Sequence, residues 1–199
     1  GEPIDRWLDP DVLRAHVECR SILIGVTGGI ATYKVCTVVS RLAQAGAEVT
    51  VLMTPAATKF VTPLTFQALS GRPVLTSPWD DVESRDPQHI RLASSADIVL
   101  IAPCTMDSLG KLATGRTDDV VGLVLSAVDR AKTPVLLAPS MNAVMWDQPA
   151  TVRNIEQLGA DGFAMIAPGE GWQACRHIGT GRMAEPATIA EALVAALGA

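Results

Sequence analysis

The stretch that most constrains the fold is residues 21–34, where an apolar run meets a glycine turn and then a helical pattern. The run Ile22 to Val26 has the length of a buried strand, and Thr27-Gly28-Gly29 separates it from the helical segment Ile30 to Ala45. This order predicts a β-strand, a tight turn and a crossover helix. Such a turn directs backbone N–H groups and the positive end of a helix at the space above the strand, where an anion such as a phosphate can bind.

The turn matches no complete phosphate-binding motif. Thr-Gly-Gly-Ile-Ala is neither a full G-x-G-x-x-G nor a Walker A loop, which would end in Gly-Lys and then Ser or Thr. A turn that is glycine-rich only because the chain packs tightly there would have the same sequence. Both interpretations stay open at this level.

The same alternation of apolar runs and helical patterns continues along the chain. Later strands are predicted at Glu48 to Thr54, Ala96 to Ala102, Pro134 to Ala138 and Phe163 to Ile166. Strands that alternate with helices predict an α/β fold with a doubly wound parallel sheet. We therefore expect a flavodoxin-like or Rossmann-like three-layer sandwich, built as a single domain over residues 1–199.

Two segments depart from this alternation. Residues 1–19 precede the first strand and predict an N-terminal extension with a short helix, in which Asp9 is the N-cap and Pro10 the first helical residue. Residues 168–183 are rich in glycine and predict a loop or flap over the substrate.

Composition narrows the classes of partner. The net charge of −5 gives no electrostatic reason to expect nucleic acid or an anionic membrane surface. No apolar stretch reaches the ~18 residues of a membrane span, and the N-terminus lacks a signal-peptide core. The cysteines, Cys19, Cys36, Cys104 and Cys175, form no CxxC pair, so we expect reduced thiols, a cytoplasmic location and no metal site.

The predicted strand exits favour a nucleotide-like cofactor. Ligands of such sheets bind at the carboxyl ends of the strands. Four exits here are small and polar, at residues 27–31, 54–58, 103–108 and 139–142, whereas a single such exit would be unremarkable. NAD-binding folds place an acidic residue after the second strand, but this chain has Thr54-Pro55 there. This favours FMN over NAD.

Three further residues have side chains suited to catalysis, each with a simpler alternative. His89 ends a polar loop and could be a general base, although a surface or capping histidine is the commoner case. Asn142 follows a strand exit and could bind a carboxylate, or cap a helix. Cys175 stands beside Arg176 and His177 in the glycine-rich segment, and is either a reactive or an ordinary exposed thiol.

Residues 139–146, Pro-Ser-Met-Asn-Ala-Val-Met-Trp, contain a P-x-M-N-x-x-M-W motif, and His89 precedes Ile90. With this motif and this histidine, the chain from about Arg20 to Pro186 resembles the flavin-dependent cysteine decarboxylases. Residues 171–175, Gly-Trp-Gln-Ala-Cys, resemble the flap with the essential cysteine in the branch that acts on phosphopantothenoylcysteine.

The resemblance implies a carboxy-lyase of coenzyme A biosynthesis that uses FMN to convert 4′-phosphopantothenoylcysteine to 4′-phosphopantetheine. The cysteine thiol of the substrate would be oxidised transiently to a thioaldehyde, CO₂ would leave, and the enethiol would be reduced. His89 would act as base, Asn142 would bind the carboxylate, and Cys175 would donate the proton.

The resemblance also assigns contacts and an assembly. It implies a homotrimer or a trimer-based homododecamer in which His89 acts on a neighbour's flavin, and Asn142 and Met145 as substrate contacts. The FMN contacts would be Gly28, Gly29, Ile30, Thr54, Ala56, Cys104, Thr105, Met106, Asp107 and Ser140.

Some positions depart from the family pattern. Arg176-His177 stand where Gly-Asp is frequent, Cys104 where alanine is common, and Asp107 where asparagine is frequent. Many bacterial relatives carry a fused synthetase domain, and this chain is expected to be free-standing. Two alternatives therefore stay open: oxidative decarboxylation of a C-terminal peptidyl cysteine in ribosomal peptide modification, and a non-catalytic flavin-binding regulatory subunit.

Overall fold

A parallel β-sheet forms the centre of the structure, a computed structural model that describes residues 4–79, 87–172 and 178–198. Within these ranges the sheet has five strands in the order β2-β1-β3-β4-β5, and every neighbouring pair is parallel. The strands are Ser21–Val26 (β1), Glu48–Met53 (β2), Ile98–Cys104 (β3), Val135–Pro139 (β4) and Ala164–Met165 (β5). The predicted doubly wound α/β class is confirmed.

Helices cover both faces of the sheet. They are Pro10–Val17 (α1), Thr32–Gln44 (α2), Pro63–Ser70 (α3), Gln88–Ser95 (α4), Met106–Thr114 (α5), Val120–Ser126 (α6), Ala143–Trp146 (α7), Pro149–Ala160 (α8) and Pro186–Leu197 (α9), with 3-10 turns at Ile4–Leu8 and Ala57–Lys59. The first layer holds α1, α2, α3 and α9, and the second holds α4, α5, α6 and α8. Across the described ranges, no helix combines the length and hydropathy that a membrane crossing needs.

The continuous apolar runs form strands because each face of the sheet has its own core. Successive side chains of a strand point to opposite faces, so Ile22 and Ile24 pack in the first layer and Leu23 in the second. The glycine at position 25 leaves room for two side chains, because a Cβ there would lie 2.6 Å from Ile101 Cδ1 and 2.9 Å from Val121 Cγ1. Helix α6 therefore packs directly against the backbone of β1.

The N-terminal extension packs against the first helical layer. Its helix begins as predicted, with Asp9 accepting a hydrogen bond from the Asp11 N–H at 2.9 Å and Pro10 in the first position. Leu13 and Val17 are fully buried, and Trp7 packs against the same core. The extension thus contributes to the hydrophobic core of its own chain.

The glycine-rich segment predicted as a loop or flap contains an antiparallel pair of strands, and its role as a flap over the substrate stays a prediction. Gly169–Trp172 (β6) pairs with Ile178–Arg182 (β7), while residues 173–177, which include Cys175, lie outside the described residues. Gly171 and Gly181 have φ angles of 148° and 119°, which favour glycine. The glycines thus permit unusual backbone angles and close contacts within the strands. A high frequency of glycine in a sequence does not by itself tell such strands from a loop.

Candidate active site

A cavity of about 1130 Å³ opens at the carboxyl ends of β1, β2, β3 and β4. This is the edge of the sheet where the sequence predicts a ligand. The predicted residues on its wall are Gly28, Gly29, Ile30, Thr54, Ala56, Thr105, Met106, Asp107, Ser140, Asn142 and Met145. The cavity thus brings together residues from turns that are far apart in the sequence.

Thr27 connects the first and third strand exits. Its hydroxyl donates to the Pro103 carbonyl at 2.6 Å and accepts from the Thr105 N–H at 3.1 Å, and its side chain is buried. The Thr105 hydroxyl in turn accepts from the Ser108 N–H at 3.2 Å and so caps α5. The turn after β1 and the start of α5 are therefore held in a fixed relation.

Backbone hydrogen bonds extend this connection to the other exits. The Thr54 N–H donates to the Val26 carbonyl, and the Ser140 N–H donates to the Cys104 carbonyl, both at 3.0 Å. The Met141 N–H donates to the Gly181 carbonyl at 2.8 Å. A row of hydrogen bonds thus runs across the end of the sheet, from β2 to the strand pair β6–β7.

The two glycines of the first turn have different roles. A Cβ on Gly28 would lie 2.4 Å from the Ala56 Cβ, so glycine is needed there because two turns touch. A Cβ on Gly29 would meet its nearest neighbour, the Thr105 Cγ2, at an ordinary 3.5 Å. Packing therefore explains the glycine at position 28 but not the one at position 29. Helix α2 begins just after this turn, and Ala31 provides no side-chain cap for it. The positive end of α2 is therefore available to an anion.

Asn142 caps a helix and also lines the cavity. Its side-chain oxygen accepts from the Met145 N–H at 2.8 Å, at the start of α7. This is the capping role that the sequence offered as the simpler alternative. The cap uses only the oxygen of the amide, so the amide nitrogen remains a donor for a ligand in the cavity.

The pair β6–β7 sits directly on the loop that carries Asn142. A Cβ on Gly179 would lie 2.7 Å from the Ala143 Cβ, and one on Gly181 would lie 2.5 Å from the Met141 carbonyl oxygen. The backbones of β6 and β7 therefore lie in direct contact with the loop that forms this part of the cavity wall. Cys175 belongs to their connection, outside the described residues, so its role stays a prediction.

Lys111 is the centre of an ion-pair cluster that sequence reasoning missed. Its Nζ lies 3.1 Å from Asp119, 3.4 Å from Asp107 and 3.5 Å from Asp118. Partial burial by itself would lower the pKa of Lys111, but the Asp119 and Asp107 carboxylates raise it above the ordinary value. A signal was present, because Asp107 and Lys111 are four residues apart on a predicted helix.

A second ion-pair cluster, also missed, lies on the same cavity wall. Glu185 Oε1 accepts from Lys34 Nζ at 2.8 Å and lies 2.9 Å from Arg182 Nη2. Lys34 and Arg182 both line the cavity, and the Lys34 side chain is only 11% exposed. No local pattern relates Lys34 to a residue some 150 positions later, so only the fold reveals this cluster.

Two predicted site residues do not line the cavity. The Cys104 side chain is fully buried in the second core layer, where burial raises the pKa of its thiol far above the ordinary value. The Cys104 side chain therefore does not reach the cavity, and the predicted cofactor contact of Cys104 stays a prediction that only its backbone can fulfil. His89 lies half-buried in the first turn of α4, away from the cavity wall of its own chain.

The described residues hold no group of three His, Cys, Asp or Glu side chains able to bind a metal ion. The carboxylates around Lys111 are instead engaged with its ammonium group, at distances of 3.1 to 3.5 Å.

Comparisons with known proteins agree with this architecture. The profile of the flavoprotein family matches residues 12–198. The coenzyme A biosynthesis bifunctional protein CoaBC of Bacillus subtilis is 46% identical over 170 residues, covering 85% of this chain and 41% of that protein. CoaBC of Escherichia coli is 42% identical over 176 residues, covering 88% of this chain and 43% of that protein. The chain thus spans about two fifths of the length of these relatives.

Solved structures of other proteins have a similar fold. A PPC decarboxylase mutant in complex with pantothenoylaminoethenethiol superposes with a TM-score of 0.78 at 29% identity, covering 88% of this chain and 97% of that chain. The FMN-dependent cysteine decarboxylase SpaF has a TM-score of 0.75 at 29% identity, with 92% and 97% covered.

The two glycines of the first turn give a test of this geometry. We expect Gly28→Ala to lower the free energy of unfolding by about 1–3 kcal/mol, because its Cβ would overlap Ala56. Gly29→Ala is the matched control and should cost less than about 1 kcal/mol, since its Cβ meets only ordinary contacts. Urea denaturation of the flavin-free protein measures both, and equal losses would contradict the assigned contact between the turns.

Proposed function

The chain belongs to the flavoprotein family, and from this membership we propose that it binds FMN and decarboxylates 4′-phosphopantothenoylcysteine to 4′-phosphopantetheine in coenzyme A biosynthesis. The observation that most directly supports the proposal is the set of residues that line the cavity. The cavity collects both predicted substrate contacts and every predicted cofactor contact except Cys104. Relatives named for coenzyme A biosynthesis, at 42–46% identity over this region, support the substrate class.

The cavity wall fits FMN. The start of α2 has no side-chain cap at Ala31, so the positive end of this helix is available to a single phosphate. The small residues Thr54, Ala56, Thr105 and Ser140 leave room for a ribityl chain and a flat ring. The volume of about 1130 Å³ reaches the upper end of typical ligand pockets, roughly 300–1,000 Å³, so a substrate can share it with the cofactor.

Bound FMN supplies the two-electron oxidation of the substrate thiol and the later return of both electrons. The task of the protein is to place the cysteine part of the substrate and to control its protons. Once the substrate is a thioaldehyde, the thiocarbonyl group accepts the electron pair released as CO₂ leaves. The resulting enethiolate needs one proton on carbon, and Cys175 is the residue to which we assign that transfer.

Asn142 holds the carboxylate that is lost. Its side-chain oxygen is fixed by the Met145 N–H, which orients the amide and leaves the nitrogen to donate towards the cavity. An amide donor binds the carboxylate without a full positive charge, which would stabilise the charged ground state more than a transition state in which the carboxylate loses its charge. The helix cap and the catalytic role are thus two uses of one side chain.

We assign His89 as the base that acts during oxidation of the thiol. Because His89 lies away from the cavity of its own chain, it would complete the site of a neighbouring copy. Apolar side chains beside the cavity support self-association: Ile30 is 58% exposed, Tyr33 59% and Val144 70%. We therefore propose a homotrimer or a trimer-based homododecamer in the cytoplasm.

The test is the mass of the products after incubation of the FMN-loaded protein with two substrates in separate reactions. We expect 4′-phosphopantothenoylcysteine to lose one CO₂ with no net oxidation. Loss of CO₂ and two hydrogens from a peptide ending in cysteine, with no reaction of the small thiol, would assign the protein to peptide modification instead. Flavin binding without either reaction would contradict an enzymatic role and favour a regulatory one.

Asn142→Asp separates the cap from the chemistry. Aspartate can still accept the Met145 N–H, but it places a negative charge where the substrate carboxylate binds. We expect kcat/KM for decarboxylation to fall about 10- to 100-fold or more, with FMN content and melting temperature near those of the wild type.

Asn154→Asp in α8 is the matched control, because Asn154 lies outside the cavity wall. It should retain full activity. Unchanged decarboxylation by Asn142→Asp would remove Asn142 from the carboxylate site.

A further inference from the structure

The cluster of Lys34, Arg182 and Glu185 carries more positive than negative charge. Both cations contact one carboxylate oxygen, at 2.8 and 2.9 Å. Glu185 neutralises only one of the two charges, and it is not part of the cavity wall, on which Lys34 and Arg182 lie. Among the described residues of the cluster, the net charge facing the cavity is therefore positive.

The opposite end of the cavity has the reverse balance. There Lys111 faces the Asp107, Asp118 and Asp119 carboxylates, each within 3.5 Å. Arg116 also pairs with Asp118, at 2.8 Å, so three negative and two positive groups leave one net negative charge. These residues belong to the second helical layer and its connection, whereas Lys34 lies on α2 in the first layer. The described wall is thus polarised across the sheet edge, and an anionic group is favoured at the end with Lys34 and Arg182.

The two cations are suited to a phosphate monoester. A guanidinium group can donate to two phosphate oxygens at once, and an ammonium group adds a compact charge. The Lys34 side chain is only 11% exposed, so solvent screens its charge less than that of a surface lysine. Glu185 keeps both side chains aligned before the ligand arrives, which reduces the ordering cost of binding.

Arg182 associates the site with the substrate and not with the cofactor. It is the last residue of β7, and its guanidinium approaches Gly171 of β6, where a Cβ would lie 3.1 Å from Nη1. The Gly181 carbonyl next to it accepts from Met141, in the loop that carries Asn142. The FMN phosphate, by contrast, has the uncapped start of α2 available to it.

We propose that Lys34 and Arg182 form a phosphate-monoester site that binds the terminal phosphate of the thiol substrate, an inference that rests on the proposed function. An ammonium and a guanidinium group bind the phosphate monoester of the substrate and that of FMN equally well, so the experiment has to distinguish the two. The site makes the enzyme select phosphorylated over unphosphorylated pantothenoylcysteine.

The experiment compares kcat/KM for 4′-phosphopantothenoylcysteine and for pantothenoylcysteine in the wild type, Lys34→Gln and Arg182→Gln. We expect each variant to lose about 10- to 100-fold on the phosphorylated substrate and little on the unphosphorylated one. Arg182→Lys should keep part of the preference for the phosphorylated substrate, because lysine keeps the positive charge but cannot donate to two phosphate oxygens with the geometry of a guanidinium group. Equal losses on both substrates, or an unchanged ratio, would overturn the proposal.

A second arm distinguishes the two sources of phosphate. Fluorescence titrations of the flavin-free proteins measure the affinities for FMN and riboflavin, which we expect the variants to leave unchanged. Weaker FMN binding with unchanged riboflavin binding would place the cofactor phosphate at these cations and overturn the proposal. Arg14→Gln, an exposed arginine of α1 outside the cavity wall, is the control.

A binding measurement keeps the inference separate from the proposed activity. Absorbance changes of bound flavin report binding of 4′-phosphopantetheine and of pantetheine, whether or not the protein turns over either substrate. A wild-type preference for the phosphorylated ligand that disappears in Arg182→Gln supports the site even if decarboxylation fails. The absence of that preference in the wild type overturns the site even if decarboxylation succeeds.

Discussion

The hydroxyl group of Thr27 is the contact on which the functional end of this sheet depends. It is buried, donates to the Pro103 carbonyl and accepts from the Thr105 N–H, so it satisfies two backbone groups that water does not reach easily. A buried polar group without a partner costs about 1–3 kcal/mol, which makes this arrangement difficult to distort. The turns after β1 and β3 therefore keep one relative position, and the cavity forms between fixed walls.

From this fixed centre the geometry extends to the elements that would meet the substrate. The Cys104 carbonyl binds Ser140, and Met141 binds Gly181, so the loop with Asn142 and the strand pair β6–β7 are placed relative to the same frame. The two charged clusters make the cavity wall electrostatically asymmetric. Positive charge is in excess at Lys34 and Arg182, and negative charge is in excess around Lys111. A cofactor and a phosphorylated thiol can be oriented by this polarity.

Sequence patterns predicted the parts of this site that local rules control. The strand–glycine–helix order predicted the turn at Gly29 that now lies on the cavity wall, and four small exits indicated a shared cavity, because parallel strands end at one edge of the sheet. They could not predict the Lys34–Glu185 pair, which depends on how α2 packs against α9. Local patterns also could not predict that the Cys104 side chain packs in the second core layer, or that β6 and β7 pair as strands, because both depend on long-range packing.

The most direct test of the account is the affinity for FMN of Thr27→Val compared with Thr27→Ser, measured by fluorescence titration. Valine fills the same space but leaves the Pro103 carbonyl and the Thr105 N–H without their partner. We predict that Thr27→Val binds FMN at least about tenfold more weakly while Thr27→Ser binds nearly as the wild type does. FMN affinity equal to that of the wild type in a folded Thr27→Val protein would contradict the claim that this hydroxyl group fixes the cofactor site.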